Sequence, residues 1–402
     1  ATASEIAAGT TTNAAYTGLS GTIVPRVGHY NNNNPTIVNF GQDPSFAGSI
    51  TAGTATPSEG AGVFKYAPPT GFLALCSVNT SEPTIGPNSD TQSSDYFNTV
   101  LYDGTGSSNS VTGVGFKPDW VWIKKRSGDT ARNAIFTDSS RGVTKHLSSA
   151  LTDGEFTNTN GLTAFGADGF TVGSYDSVNE SGSSDKYVAW NWKANGSTTS
   201  SDGNGSITST VQVNATAGFS IVTFTGNNTD DATIGHGLGT TPAMIITKNL
   251  TDSTSGGVSQ HWRVWHKDLT STHNLYLAST LYSLAPSAHS NGYIKTVGST
   301  TYSTFKANVD SNAVNGASDS MFSLCFANVE GYSKFGKYIG NGDADGTFVY
   351  LGFRPAFFLH KRTNASEDWH IIDSVRNPTN KVGNVLFPNK ADHEAVYTSE
   401  QY

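Results

Sequence analysis

The sequence predicts an all-β protein built of tandem β-sandwich modules, and three observations lead there. Its 43 Gly and 14 Pro interrupt the 402 residues so often that few windows could hold a helix of the ordinary ~11 to 12 residues. The uninterrupted windows are rich in Thr, Ser, Val, Tyr and Phe, which fit a pleated, half-buried surface. A long pattern of strands and turns also recurs along the chain.

The first ~85 residues are unlike the rest. Residues 36–42 and 62–76 read as strands near the end of a sandwich that too little preceding chain could close. We therefore expect a partial module over 1–88. The first full repeat, 94–196, opens at Tyr96-Phe97-Asn98-Thr99-Val100 and turns at Gly115-Phe116-Lys117-Pro118 into the strand Val121 to Lys124. It closes with Asp185 followed by Tyr187 to Trp192. Residues 197–214, almost all Ser, Thr, Gly, Asn and Asp apart from a few apolar residues, read as a linker. The second repeat, 215–329, has the same order: Phe219 to Phe224, the corner before Pro242, Met244 to Thr247, and Asp319 before Met321 to Phe326. The third, 330–402, opens at Phe335, turns at Gly352-Phe353-Arg354-Pro355 into Phe357 to His360, and has no closing strand.

Pro118, Pro242 and Pro355 are 124 and 113 residues apart. At each corner Gly supplies a turn conformation that a Cβ resists, and Pro fixes φ where a missing amide donor does no harm. Each following strand is expected to be buried and to end in Lys at the water boundary. The 28 residues from Val258 to Ala285 lack Gly and Pro, yet His261 to His266 and Asn274 to Leu277 read as two strands about a polar turn.

Composition excludes several classes. Only 14% of residues are charged and the formal net charge is -8, against roughly 25% charged in typical domains, which excludes a basic nucleic-acid binder. No apolar stretch approaches the ~18 to 20 residues of a membrane-spanning helix. Residue 1 is not Met, and residues 1–15 lack the basic start and apolar core of a secretion signal; the chain reads as a piece of something longer. Cys76 and Cys325 give no metal spacing and no disulfide framework, and are expected to be small core residues.

No catalytic, cofactor-binding or metal residue is legible. Asp119, Asp138, Asp168 and Asp185 flank turns, where carboxylates cap backbone amides; whether any two approach as in glycoside cleavage is a three-dimensional matter. In Gln260-His261-Trp262-Arg263-Val264-Trp265-His266, strand alternation sends Trp262, Val264 and His266 to one face and His261, Arg263 and Trp265 to the other, which separates the histidines. Asn341-Gly342-Asp343-Ala344-Asp345-Gly346 begins like a calcium loop but lacks the downstream Glu. Gly235-His236-Gly237-Leu238-Gly239 does not join a strand to a helix, so it is a turn rather than a phosphate cradle.

Val38-Asn39-Phe40-Gly41-Gln42 followed by Ala67-Pro68-Pro69-Thr70-Gly71-Phe72-Leu73-Ala74-Leu75 resembles the C-terminal end of SPRY-like sandwiches in marine bacteriophage structural proteins. Segments 96–106, 115–124, 187–193, 329–336 and 353–357 look like the repeat domains that follow it there. The resemblance covers residues 36 to the end. It implies jelly-roll or lectin-like modules in an elongated, fibre-like arrangement, in a tail fibre or similar host-contacting appendage on the virion surface. It also implies a homotrimer, with other virion proteins and a host glycan or surface polymer as partners, no cofactor, no nucleic acid, no membrane insertion and no enzyme activity. The first half of the SPRY-like sandwich and the closing strand of the last repeat depart from that pattern. A head-attached fibre or decoration protein and a polysaccharide-degrading spike are the competing readings.

Overall fold

The computed structural model describes residues 43–45, 48–57, 60–68, 73–74, 79, 83–86, 89–251, 261–270, 272–282, 293–304, 312–343, 346–379 and 382–397. The chain forms two compact units, Ala1–Glu82 and Pro83–Tyr402. In the first, Ala55 and Phe64 exchange backbone hydrogen bonds of 3.2 and 2.7 Å. The expected strand 36–42 and most of 69–76, with Cys76, lie outside the described residues.

The second unit is all-β and holds the three repeats. Repeat one consists of β1 (Phe97–Asp103), β2 (Asn109–Thr112), β3 (Trp120–Ser127), β4 (Ile135–Asp138), β5 (Lys145–Ser148), β6 (Phe156–Thr157), β7 (Leu162–Gly166), β8 (Gly169–Val172), the helical turn α1 (Asp176–Asn179) and β9 (Lys186–Trp192). Its six-stranded sheet has the order β1-β9-β3-β4-β5-β6, and a three-stranded sheet β2-β8-β7 covers one face. Between them lies a core that includes Val111, Val121, Ile123, Phe170 and Tyr187.

Repeat two consists of β10 (Ser200–Asp202), β11 (Ser209–Asn214), β12 (Phe219–Thr225), β13 (Thr233–Gly235), β14 (Met244–Asn249), β15 (Arg263–His266), β16 (Leu275–Tyr276), β17 (Ile294–Val297), β18 (Thr301–Thr304), α2 (Asn312–Asn315) and β19 (Ser320–Phe326). Its large sheet runs β10-β11-β12-β19-β14-β15-β16, under a small sheet β13-β18-β17. The expected linker 197–214 is thus corrected: β11 pairs antiparallel with β12 and β10 with β11, so both extend this sheet. Ser and Thr serve a strand with a solvated face as well as a loop, so the composition of that stretch did not separate the two.

Repeat three consists of β20 (Phe357–Lys361) paired with β21 (Trp369–Asp373), and β22 (Asn384–Val385) paired with β23 (Ala395–Val396). The corners repeat in atomic detail. Gly115, Gly239 and Gly352 have φ of +84°, +70° and +86°, a region open to Gly and closed to most other residues. The carbonyls after the three prolines, of Asp119, Ala243 and Ala356, accept the amides of Ser139, Lys267 and Ser374 at 2.8, 2.9 and 2.9 Å.

Besides the separate cores within them, the repeats share a further one. The inner faces of the large sheets pack on one another, and Trp120, Trp122, Trp190 and Trp192 of repeat one, Phe219, Trp262, Phe322 and Phe326 of repeat two, and Trp369 and Ile371 of repeat three belong to a single cluster. Trp120 stacks on Trp192 with ring centres 4.0 Å apart, and Phe357 lies 5.4 Å from Trp192. Neighbouring repeats are also hydrogen-bonded at corresponding places. Trp262 Nε1 donates to Ser148 O of repeat one at 2.8 Å, and Trp369 Nε1 donates to Tyr276 O of repeat two at 2.9 Å.

The strand-ending lysines correct a second expectation. Lys124 and Lys248 are buried rather than set at the water boundary. Lys124 Nζ donates to Ala391 O at 2.6 Å, Lys248 Nζ to Thr152 O at 2.8 Å and Lys361 Nζ to Thr280 O at 3.0 Å. Each amine therefore crosses to a neighbouring repeat, one to three, two to one and three to two, closing a ring. Burial pushes the Lys124 amine down to about 7.

Two outcomes test this packing. Trp262→Phe keeps the ring but removes the donor to Ser148 O, and a urea melt should show a loss of about 1 to 2 kcal/mol. His146 is buried in β5, donates from Nε2 to Asn158 O at 3.1 Å and accepts at Nδ1 from Thr137 Oγ1 at 2.7 Å. Burial pushes its imidazole down from 6.5 to about 4. The unfolded chain therefore takes up this proton first as pH falls, so the stability held by neutral His146 is complete above 6.5 and lost by pH 4, about 3 kcal/mol in all. Melts of His146→Gln and the parent across that window should differ in slope accordingly.

Candidate functional site

The edge of the boundary between repeats one and two opens into a cleft of about 600 Å³. Repeat one contributes Ser140, Arg141, Lys145 and Glu155; repeat two contributes Thr208, Thr210, Thr223, Thr225, Thr251 and Ser320, with Phe224, Leu250 and Met321. The hydroxyls come from strand alternation and register. Thr210 of β11 lies directly opposite Thr223 of β12, so both side chains emerge on one face.

The charged wall begins at Asp138, the last residue of β4. Its carboxylate accepts the amides of Ser140 and Arg141 at 3.1 and 2.9 Å, which closes a tight turn, and pairs with Arg141 Nε at 2.5 Å. Arg141 Nη1 reaches Glu155 at 3.0 Å, and the guanidinium stacks 4.7 Å from the Phe322 ring of repeat two. Glu155 also holds Lys145 at 3.2 Å. Two carboxylates and two cations balance, so the wall carries partial charges and donors but no net charge.

Repeat three has the same triad at its boundary with repeat one. Arg376 pairs with Asp373 at 2.6 Å and with Glu394 at 2.8 Å. There Arg126 of β3 adds two hydrogen bonds of 3.0 Å to Glu394, and opposing groups hold its carboxyl below the usual range despite burial. The residue of repeat two that corresponds to Arg126 is Leu250, whose carbonyl accepts the Glu155 amide at 2.8 Å, as Arg126 O accepts that of Glu394 at 2.8 Å. The backbone joint is kept and the cation is lost.

The four aspartates singled out in the sequence are dispersed into separate structural roles. Asp119 is buried and accepts the amides of Ala194, Gly196 and Ser197 at 2.8, 2.9 and 2.7 Å. Asp168 caps the amides of Gly113 and Gly115 at 3.1 and 2.6 Å, which lower its carboxyl. Asp185 pairs with the buried Lys125 at 2.8 Å. Among them only Asp138 adjoins the cleft, through Arg141.

The aromatic and His segment divides by face. Trp262 and Val264 enter the shared core, whereas Trp265 packs on the separate core of repeat two. Arg263 is sandwiched 4.5 and 4.2 Å from the rings of Tyr276 and Tyr293. Gln260 lies outside the described residues, as do Ala344 and Asp345 of the calcium-like loop, where the Asp343 amide caps onto Asn341 Oδ1 at 3.1 Å. Gly237 and Gly239, at φ +71° and +70°, form the turn between β13 and β14. Cys325 is buried in β19, and burial pushes its thiol up to about 12. Among the described residues, no group of three or more His, Cys, Asp or Glu is placed to hold a metal ion.

The sequence did carry signals for what was missed. The Asp-x-x-Arg spacing occurs at Asp138 and Arg141 and again at Asp373 and Arg376, and a Lys stands six residues after each corner proline. Neither spacing reveals that its side chain crosses to another repeat.

Residues 92–402 match the family described as Domain of unknown function (DUF7483), and the chain belongs to that family. No curated protein and no solved structure matches it.

Arg141→Met leaves Asp138 buried and unpaired. Denaturant melts should then show a loss of about 3 to 5 kcal/mol, and Arg141→Lys should recover only part of it because a single ammonium cannot span both carboxylates.

Proposed function

We propose that this member of the DUF7483 family is a structural, adhesive component of a phage virion, a tail fibre or similar appendage that meets a host-surface glycan at the cleft between repeats one and two. The observation that carries this reading is the cleft's lining: side-chain hydroxyls from two repeats and a charge-balanced wall, on a rigid β scaffold. Hydroxyls in fixed register exchange hydrogen bonds with sugar hydroxyls at little cost in side-chain entropy. The low charge content of the chain favours contacts that salt does not screen. The resemblance to marine phage structural proteins supplies the virion setting, the jelly-roll or lectin-like character of the modules and the homotrimer.

Host surface polysaccharide should bind the chain, and Thr210→Trp with Thr225→Trp, which fills the cleft, should weaken binding ~10-fold or more with melting unchanged. Binding that ignores the filled cleft would sink the reading. Density on the head of intact particles would favour the decoration protein, and release of reducing ends from polysaccharide would favour the spike.

A further inference from the structure

Arg141 and Arg376 hold the same place in the carboxylate and arginine triads of repeats one and three, and they differ at one nitrogen. In repeat three every nitrogen is engaged: Arg376 Nε donates to Asp373 at 2.6 Å, Nη1 to Glu394 at 2.8 Å and Nη2 to Ile371 O at 3.1 Å. In repeat one Nε and Nη1 of Arg141 are held by Asp138 and Glu155, whereas Nη2 is buried and has no acceptor among the described residues. The side chain is only 4% exposed, and it lines the cleft. A buried donor is unfavourable until an acceptor meets it, so the cleft has a place for one oxygen.

Charge limits what that oxygen belongs to. Asp138 and Glu155 already offset Arg141 and Lys145, so an acidic sugar would bring a further carboxylate to cations that are already paired. The oxygen is therefore that of a neutral group. Leu250 limits it again. It stands where the boundary between repeats one and three has Arg126, whose guanidinium gives two hydrogen bonds of 3.0 Å to Glu394. Leu250 is half-buried, packs on the shared core and lines the cleft. The shorter side chain leaves to the cleft the place that a guanidinium takes at the other boundary, and offers an apolar surface beside it.

We propose that the cleft selects N-acetylated amino sugars, with the acetamido carbonyl accepting from Arg141 Nη2 and the acetamido methyl lying on Leu250. The inference rests on the glycan reading above and deepens it. An acetamido group is planar and neutral, and like a guanidinium it has a trigonal carbon bearing three heavy atoms. A sugar hydroxyl would satisfy Nη2 and leave Leu250 uncovered, whereas the acetamido group meets both. Its N–H and the ring hydroxyls then fall to the hydroxyls of Thr210, Thr223 and Thr225, which donate and accept alike.

Two pairs of probes differ only in the group at the second ring carbon: β-linked oligomers of N-acetylglucosamine against those of glucose, and N-acetylgalactosamine against galactose. In titration calorimetry with the full chain, the N-acetylated member of at least one pair should bind ~10-fold or more tightly than its partner. Leu250→Arg restores at this boundary the residue found at the other, and should weaken that sugar ~10-fold or more, with an unchanged urea melt marking an intact fold. Equal affinity within both pairs would overturn the selectivity, as would an N-acetylated sugar that binds Leu250→Arg as tightly as the parent, or no binding of any probe at about millimolar concentration. In each of these cases the glycan reading stands if host polysaccharide still binds and Thr210→Trp with Thr225→Trp still blocks it; failure of that polysaccharide to bind removes both.

Discussion

The architecture depends on one constraint: the large sheets are apolar on both faces. The first six residues of β3 and the last six of β9 are buried, and a sheet with two apolar faces needs two covers. Its own small sheet supplies one. Only another repeat can supply the other, which is why Trp120, Trp192, Phe219 and Phe326 meet in one stack. Neither complete repeat could bury its tryptophans alone, so the three fold as one body from residue 83 onward.

Apolar packing is non-directional and would tolerate sliding of one sheet over the next. Polar groups at the rim remove that freedom. Lys124 donates to both Arg132 O and Ala391 O at 2.6 Å, tying its own repeat to the third. A buried ammonium needs those acceptors to offset the loss of water, so a shift of the neighbouring repeat would leave it unsatisfied. The lysines thus convert a greasy contact into a defined orientation, and that orientation forms the cleft.

Local features were legible in the sequence, whereas relations between repeats were not. The corners, the strands β3, β9, β12, β14 and β20, and the division of Trp262 from Trp265 follow from turn chemistry and period-two alternation, which act within a few residues. The capping of the Ser140 and Arg141 amides by Asp138 is local in the same sense. β10 and β11 were hidden because one residue in two on a solvated face can be Ser or Thr without weakening the strand. The buried lysines were hidden because a Lys at a strand end is normally solvated, and only the position of a carbonyl in another repeat makes burial favourable. The cleft combines both difficulties, since its threonines are unremarkable singly and its charged wall belongs to a different repeat.

The three boundaries obey one scheme but differ in their locks, and the differences are complementary. Ala134, Trp262 and Trp369 occupy the same place, one residue before the partner of Ile123, Thr247 or His360. Two boundaries have the indole and its hydrogen bond. At the third, where Ala134 offers none, Arg126 grips Glu394 through two hydrogen bonds. Where Trp262 secures the boundary, the arginine is dispensable and Leu250 stands in its place. Glu155 is left facing Lys145 and a row of threonines across open space. Exchange of one lock for another therefore leaves stability with the tryptophan and frees the rim, so that this boundary opens into a cleft lined by side chains of two repeats.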